Sequence, residues 1–369
     1  MPFGQEGVSD GPGLAISGGG FRATLFHLGA LTRLVELGIL HRVKRISSVS
    51  GGSILSGRLA EVWTDFAASP DTATFDRLVG APIRAFCRLN IDTAAIGHGM
   101  LSPFTTAGEL LEQAYSQHLM TKSLDQLPDS PVFVFDSTNL QTGRSFRFGK
   151  AYMGDWRLGL IRNPKLPVAK AVAASSAFPP FFSPIILENP GVFEPQLGSD
   201  LNSNPRFTNK LYLADGGVYD NLGLESVWKR CSTVLVSDAG APLASQMEPQ
   251  TDWVRQSMRA LDIATDQARG LRKLALIADF KAGVRGGAYW GIETNIANYE
   301  LATGVQCDPA KVAPLAMFRT RLDAFSDEEQ GQLINWGYAL ADAGVRRHSP
   351  GLVTVQSDPA WPMPDFPLD

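Results

Sequence analysis

A short apolar strand that runs into three consecutive glycines and then a helix, Leu14-Ala15-Ile16-Ser17-Gly18-Gly19-Gly20, constrains this chain more than any other feature. The glycines end the strand. Residues 22–38 then carry Leu25, Phe26, Leu28, Leu31, Leu34, Val35 and Leu37 at helical spacing, with Gly38 placed as a C-cap. The pattern repeats at once: Val43–Val49 reads as a strand and 52–63 as a helix. Strand–turn–helix in succession is the rhythm of a parallel sheet with helices packed on it, so the expected class is α/β. Further strands are expected at 131–135, 145–148, 211–214 and 233–237, with a turn at 139–143 and helices at 166–177, 222–230, 252–280 and 326–344. Ser326-Asp327-Glu328-Glu329 has capping-box spacing at the start of the last of these.

Three motifs carry chemistry. Gly18-Gly19-Gly20 offers backbone N–H groups at a helix start, reinforced by the helix dipole and suited to an oxygen that gains charge in a transition state. Ser48-Val49-Ser50-Gly51-Gly52 puts Ser50 between a strand and a helix, with small neighbours that permit the strained turn of a nucleophile. Asp215-Gly216-Gly217 ends an apolar strand with a carboxylate, where the sites of α/β sheets collect. Asp238, at the end of 233–237, is the rival carboxylate. The five histidines (His27, His41, His98, His118, His348) occupy no position suited to a Ser-Asp-His triad, so a Ser50–Asp215 dyad fits better. Arg22 sits in the first helical turn, where its charge opposes the dipole and calls for a partner, an acid or a phosphate.

These motifs resemble those of the patatin-like phospholipase family: a Gly-Gly-Gly-x-Arg loop, a Gly-x-Ser-x-Gly elbow and an Asp-Gly-Gly turn. The heptapeptide Ser17–Ala23 is also similar to the oxyanion loop of eukaryotic cytosolic phospholipases A2. One position departs, since Ser48 stands where the family has glycine; serine fits there if its φ is negative. The resemblance covers roughly residues 12–240. It implies a three-layer α/β/α fold with a mostly parallel central sheet, Ser50 as nucleophile, Asp215 as base, Gly18, Gly19 and Gly20 as oxyanion hole, and Arg22 shaping that loop or meeting a phosphate. The implied reaction is carboxyl-ester hydrolysis of phospholipids or other acyl lipids through an acyl-enzyme.

All three motifs serve one site, so a chain of 369 residues is expected to hold one large domain at 12–300, with a helical insert near 70–130 and a loop around Gly97–Thr106. A segment 1–11 precedes it, a helical segment 301–356 packs on it, and 357–369, with four prolines, reads as an extended or disordered tail. The net charge of −4 gives no general reason to bind nucleic acid, and no cofactor is expected. Cys87, Cys231 and Cys307 are scattered, as in a reducing compartment, and His and Cys never cluster at metal-ligand spacing. No signal peptide or membrane-length apolar run occurs, so the expectation is a cytoplasmic protein that meets lipid from the water side, peripherally. Two other classes compete. A hydrolase fold without turnover would have no need of these three motifs. A nucleotide-binding protein is suggested by the weak pattern Gly18-x-Gly20-x-x-Ala23, but the next strand ends without an acid and no Gly-Lys-Ser/Thr follows. The Phe178-Pro179-Pro180-Phe181-Phe182 segment is set to line an acyl channel, to touch the bilayer or to pack in the core.

Overall fold

The computed structural model describes residues 8–91, 106–240, 242–301 and 304–369. Its centre is a ten-stranded sheet. Strand β1 (Ser9–Ile16) leads through helix α1 (Gly20–Glu36) to β2 (Arg45–Ser48), which leads through α2 (Gly51–Ala68) and an insert to β3 (Val132–Asn139). The insert contains α3 (Ala107–His118), capped by a Thr106–Glu109 capping box. The expected loop around Gly97–Thr106 otherwise lies outside the described residues, as does His98. Antiparallel strands β4 (Arg144–Phe148), β5 (Tyr152–Asp155) and β6 (Gly159–Arg162) extend one edge. Helix α4 (Val168–Ser176) and β7 (Ile185–Glu188) precede β8 (Lys210–Asp215), and β9 (Cys231–Asp238) connects through α5 (Trp253–Lys281) to β10 (Gly286–Gly291). The last long helix is α6 (Asp327–His348), and its Ser326–Glu329 capping box is present.

The order β10-β9-β1-β2-β3 is parallel throughout. Alternation along these strands divides the core. Leu14, Ile16, Leu235, Ala288 and Trp290 face the larger cluster with α1, α2 and α6, whereas Ala15, Val234, Val236 and Tyr289 face a smaller one with Leu276 of α5. Helices therefore cover both faces of a mostly parallel sheet. Helices α1 and α6 cross with their backbones nearly touching. A Cβ at Gly29 would lie 1.8 Å from the Ile334 carbonyl oxygen, and one at Gly337 1.8 Å from that of Phe26. Alanine at either position would push the helices apart.

One irregularity positions the site. The first half of β3 pairs with β2, and its second half pairs on the same edge with the antiparallel β8. Ser48 stands opposite Phe135 and Asp215 opposite Ser137, so β2 and β8 meet end to end along one strand. Residue 50, two beyond Ser48, falls beside Asp215. Meanwhile β1 brings Ile16 level with Ser48, which carries the glycine loop to the same place.

The C-terminal residues, expected as an extended or disordered tail, run without regular structure. They are nevertheless tied down. Asn335 Nδ2 donates to the carbonyls of Met363 and Phe366, Asp308 N donates to that of Leu368, and the Leu368 side chain is buried.

Candidate active site

Ser50 has φ 51° and ψ −121° between β2 and α2. A left-handed φ at a non-glycine residue costs about 1–3 kcal/mol and persists only when its surroundings impose it. They do so here. The Ser50 N–H donates to the carbonyl (3.1 Å) and the hydroxyl (3.0 Å) of Ser175 at the end of α4. The Ser175 hydroxyl donates in turn to the Asp136 carbonyl at 2.7 Å. Gly51 is required by close approach: a Cβ there would lie 2.0 Å from the Gly20 carbonyl oxygen. Ser48, where the family has glycine, lies in extended backbone within β2, and its hydroxyl contacts the Val134 carbonyl at 3.3 Å. Its φ is not positive, so serine is tolerated.

The Asp215 carboxylate is buried at 2% exposure. It accepts the Gly217 N–H at 2.6 Å. Burial raises its pKa to about 7, against smaller lowering by that N–H and by the Ser50 hydroxyl. Its own N–H is held by the Ala177 carbonyl, and Thr138 Oγ1 donates to its carbonyl. Gly216 packs on β3: a Cβ there would lie 2.3 Å from the Asp136 carbonyl oxygen.

The glycine loop is less uniform than its sequence. The Gly18 N–H donates to the Asn221 carbonyl at 3.0 Å, so that donor is already engaged. Gly18 supplies space instead, since a Cβ would meet Asn221 Oδ1 at 2.4 Å and Ser50 Cβ at 3.0 Å. Gly19 (φ 139°), the N-cap of α1, and Gly20 (φ 58°), its first residue, adopt conformations that favour glycine.

Arg22 has neither an acidic partner in contact nor an exposed face. Its fully buried guanidinium donates to the carbonyls of Ala316 (2.8 Å), Phe318 (2.9 Å) and Ala239 (2.6 Å). Burial lowers its pKa to about 10, partly offset by the charge of Asp238, so it stays charged at neutral pH. Within the protein, three carbonyl dipoles stand in place of the expected acid, and they tie α1 to the end of β9 and to the chain before α6. Phe21 N–H adds a bond to the Arg321 carbonyl at 3.2 Å.

Asp238 sits in a different setting. Tyr289 donates its hydroxyl to it at 2.7 Å, Gly240 N–H at 2.8 Å, and Arg269 Nη1 lies 3.5 Å away. His27 is buried beneath the glycine loop. Nδ1 lies 2.8 Å from the Ser237 hydroxyl and Nε2 3.0 Å from the Ser17 carbonyl, and burial lowers its pKa to about 4. That neutral ring supports the loop; among the described residues no histidine lines the cleft.

A cleft of about 550 Å³ joins Gly18, Gly19, Gly20, Ser50, Asp215 and Gly217. Phe178, Phe181 and Phe182 line one wall, α5 contributes Met258, Thr265 and Arg269, and Thr320, Arg321 and Leu322 complete it. Sequence reasoning missed Ser175, Asn221 and the 316–322 segment. The small-residue run Ala171–Ala177 was the one available signal for Ser175; nothing local marks the other two.

The sequence profile described as patatin-like phospholipase matches residues 14–228. The chain belongs to that family. Among solved structures, human GIVD cytosolic phospholipase A2 in complex with methyl gamma-linolenyl fluorophosphonate is 16% identical, with a TM-score of 0.48 over 90% of this chain and 57% of that one. The same human enzyme alone gives 15% identity and a TM-score of 0.44, over 90% of this chain and 61% of that one. VipD from Legionella pneumophila is 13% identical, with a TM-score of 0.37 over 92% of this chain and 67% of that one. The chain thus spans about three-fifths of the length of the human enzyme. Curated protein sequences include no match.

Proposed function

We propose that this protein hydrolyses carboxyl esters of lipids with Ser50 as nucleophile and Asp215 as its base. One observation carries the reading: Ser50, held at a positive φ, and the buried Asp215 carboxylate, whose pKa its hydroxyl lowers, line the same cleft as the glycine loop. Ser50 Oγ attacks the ester carbonyl carbon while Asp215 takes its proton. The carbonyl oxygen becomes an oxyanion, for which Gly19 and Gly20 are the N–H donors not already spent on Asn221. The C–O bond breaks, and the leaving alcohol takes the proton back from Asp215. Water then attacks the acyl-enzyme and gives its proton to Asp215. Ser50 leaves as the carboxylic acid departs and recovers that proton. A carboxyl group whose pKa lies near 7 suits both directions of this transfer.

Arg22, which also lines the cleft, is assigned the bracing role, since its Nη1 and Nη2 donors face three carbonyls. Because Thr320–Leu322 complete the cleft wall, we treat 301–356 as part of the 12–300 catalytic unit. Among the described residues no helix is long and apolar enough to cross a membrane. The proposed encounter with lipid is at a cytoplasmic membrane surface, with the aromatic Phe178–Phe182 wall against the acyl chain.

The test is labelling with an alkyl fluorophosphonate followed by peptide mass spectrometry, alongside product analysis on a mixed lipid extract. Covalent mass on Ser50, lost in Ser50→Ala, and release of free fatty acid are expected. An unlabelled Ser50 in folded protein would return the chain to the binding-protein reading.

A further inference from the structure

A second cavity, about 670 Å³, adjoins the catalytic cleft: Pro242 lines both, and the 313–322 segment contributes residues to each. Its volume is within the roughly 300–1,000 Å³ usual for small-molecule sites. Its walls are mostly apolar: Ile292 after β10, Leu301, Val305, Val312, and Trp336 and Ala339 of α6. No lysine or arginine lines it among the described residues. Its three carboxylates already have cations: Asp342 has Arg33 (2.7 Å) and Arg346 (3.4 Å), Glu300 has Arg347 (3.4 Å), and Glu293 has Lys273 (3.7 Å) and Arg269 (3.8 Å). An anionic ligand would find no counter-charge and would face acidic groups. A cationic one would find those groups paired. The chemistry left is a neutral molecule with a long apolar part and a small polar end.

The cavity shares a wall with the catalytic machinery. Ala313, Ala316 and Met317 face it, while Thr320, Arg321 and Leu322 face the cleft. Between the two faces, the carbonyls of Ala316 and Phe318 hold Arg22, and that of Arg321 holds the Phe21 N–H. This wall also packs against the loop itself, since a Cβ on Gly20 would lie 1.9 Å from the Thr320 carbonyl oxygen. Any ligand that orders 313–322 therefore also fixes the carbonyls on which the start of α1 depends, and the two sites become thermodynamically linked.

We propose that this cavity binds a neutral single-chain amphiphile, of the long-chain alcohol or monoacylglycerol type, and that its occupancy orders the glycine loop through the 313–322 wall. The coupling rests on the reading of that loop as the oxyanion donor; the binding does not. Filling apolar space supplies the affinity, and the wall transmits it.

The probe is decan-1-ol, which carries no ester and cannot be consumed. Calorimetric titration of the full chain should give saturable one-site heat. Ala339→Phe, which fills the cavity from α6, should abolish it. Ala297→Trp, at an exposed lining position, serves the same purpose if the helix variant fails to fold. Thr265→Trp, which narrows the catalytic cleft, should leave the heat intact. Bound decanol should slow amide hydrogen exchange at Gly19–Phe21 by about fivefold or more, the usual scale of such coupling. Heat that survives Ala339→Phe and Ala297→Trp but disappears in Thr265→Trp would put the alcohol in the catalytic cleft and overturn the proposal. Absence of saturable heat, or binding with unchanged exchange, would overturn it too. Neither readout needs turnover, so a failure of Ser50 labelling would count against the proposed function alone.

Discussion

Two strand ends in this molecule carry the same local signal, an apolar run closed by an aspartate and small residues, and they do different things. At the end of β8, Asp215 has a serine hydroxyl and one N–H for company, and burial lifts its pKa to about 7. At the end of β9, Asp238 has a phenol, an N–H and the Arg269 guanidinium. The neighbouring Ala239 carbonyl takes a bond from Arg22. The β9 end thus acts as a brace, with its charge matched. The β8 end is left with an under-compensated carboxylate beside a strained serine. A poised base needs that shortfall, and a structural carboxylate must avoid it.

The sharpest way to break this contrast is to neutralise each carboxylate in turn. Asp215→Asn should lower kcat by about 10²–10⁴-fold, the usual contribution of a positioned general base. Asp238→Asn should lower it only several-fold, and should instead reduce stability by on the order of 2–3 kcal/mol because Arg269 loses a buried partner. Paired measurement of ester hydrolysis and urea unfolding decides the matter. The reverse ranking in kcat would move the base to Asp238.

The glycine loop connects both ends, and it sharpens the comparison. Gly19→Val should raise the barrier by about 2.7–4 kcal/mol if one oxyanion donor is displaced, with KM changed far less than kcat. The same substitution at Gly18 meets Asn221 and Ser50 rather than an oxyanion, so KM and kcat should fail together as the elbow shifts. Steady-state kinetics on a soluble aryl ester separates the two patterns.

Protonation offers a gentler test. Asp215 is an acid with a raised pKa, so the folded chain holds its proton up to about pH 7, whereas the unfolded chain releases it near pH 4. Across that window the native state binds more protons, and stability must fall as pH rises, levelling above about 7. The buried Asp136, raised to about 6, contributes in the same sense, so the wild type minus Asp215→Asn difference is the quantity to follow. The variant should gain a few kcal/mol relative to wild type between pH 4 and 7. Over the same range, wild-type kcat/KM should rise with a midpoint near 7. Asp238→Asn should leave that midpoint in place. A midpoint that moved with Asp238 would erase the distinction between the strand ends.

How much of this was legible in the sequence follows from which interactions are local. Strands β1, β2, β3, β4, β8 and β9 and helices α1, α2, α4 and α6 lie where periodicity and turn chemistry put them, because each buries its own apolar pattern. Helix α3 falls within the expected helical insert, and α5 is where it was expected although only Arg269 and Leu276 of it are buried. The helix expected at 222–230 is the single turn Glu225–Trp228. Strands β5, β6, β7 and β10 escaped notice. Tyr152–Asp155 and Gly286–Gly291 are short and glycine-bearing, and register with a neighbour, not propensity, makes them strands. For the candidate site, Ser50, Asp215 and the glycines were readable because an elbow, a strand end and a helix start are local devices. Gly18's engaged N–H, Arg22's carbonyl partners and the β2–β8 junction were not, since each depends on residues 80 to 300 positions away. Asp215 and Asp238 look alike in sequence because what separates them is burial against Arg269 and Tyr289, which no local pattern encodes.

The smallest expected effect concerns two cations that divide along the same line between brace and cleft. Arg22, with its donors on Ala239, Ala316 and Phe318, belongs to the brace. Arg321 faces the cleft, exposed, its guanidinium 5.6 Å from the centre of the Phe181 ring. A cation set over an aromatic wall can meet a lipid phosphate without giving up a protein partner. Arg22→Ala should therefore slow a neutral aryl ester and an anionic phospholipid alike, because the glycine loop loses its tether whatever the substrate. Arg321→Gln should spare the aryl ester and slow the phospholipid several-fold, chiefly through KM, as expected for an exposed charge worth about 1 kcal/mol. The ratio of the two substrates' kcat/KM in each variant is the measurement. A selective loss in Arg22→Ala with none in Arg321→Gln would return phosphate recognition to Arg22 and make the brace part of the substrate site.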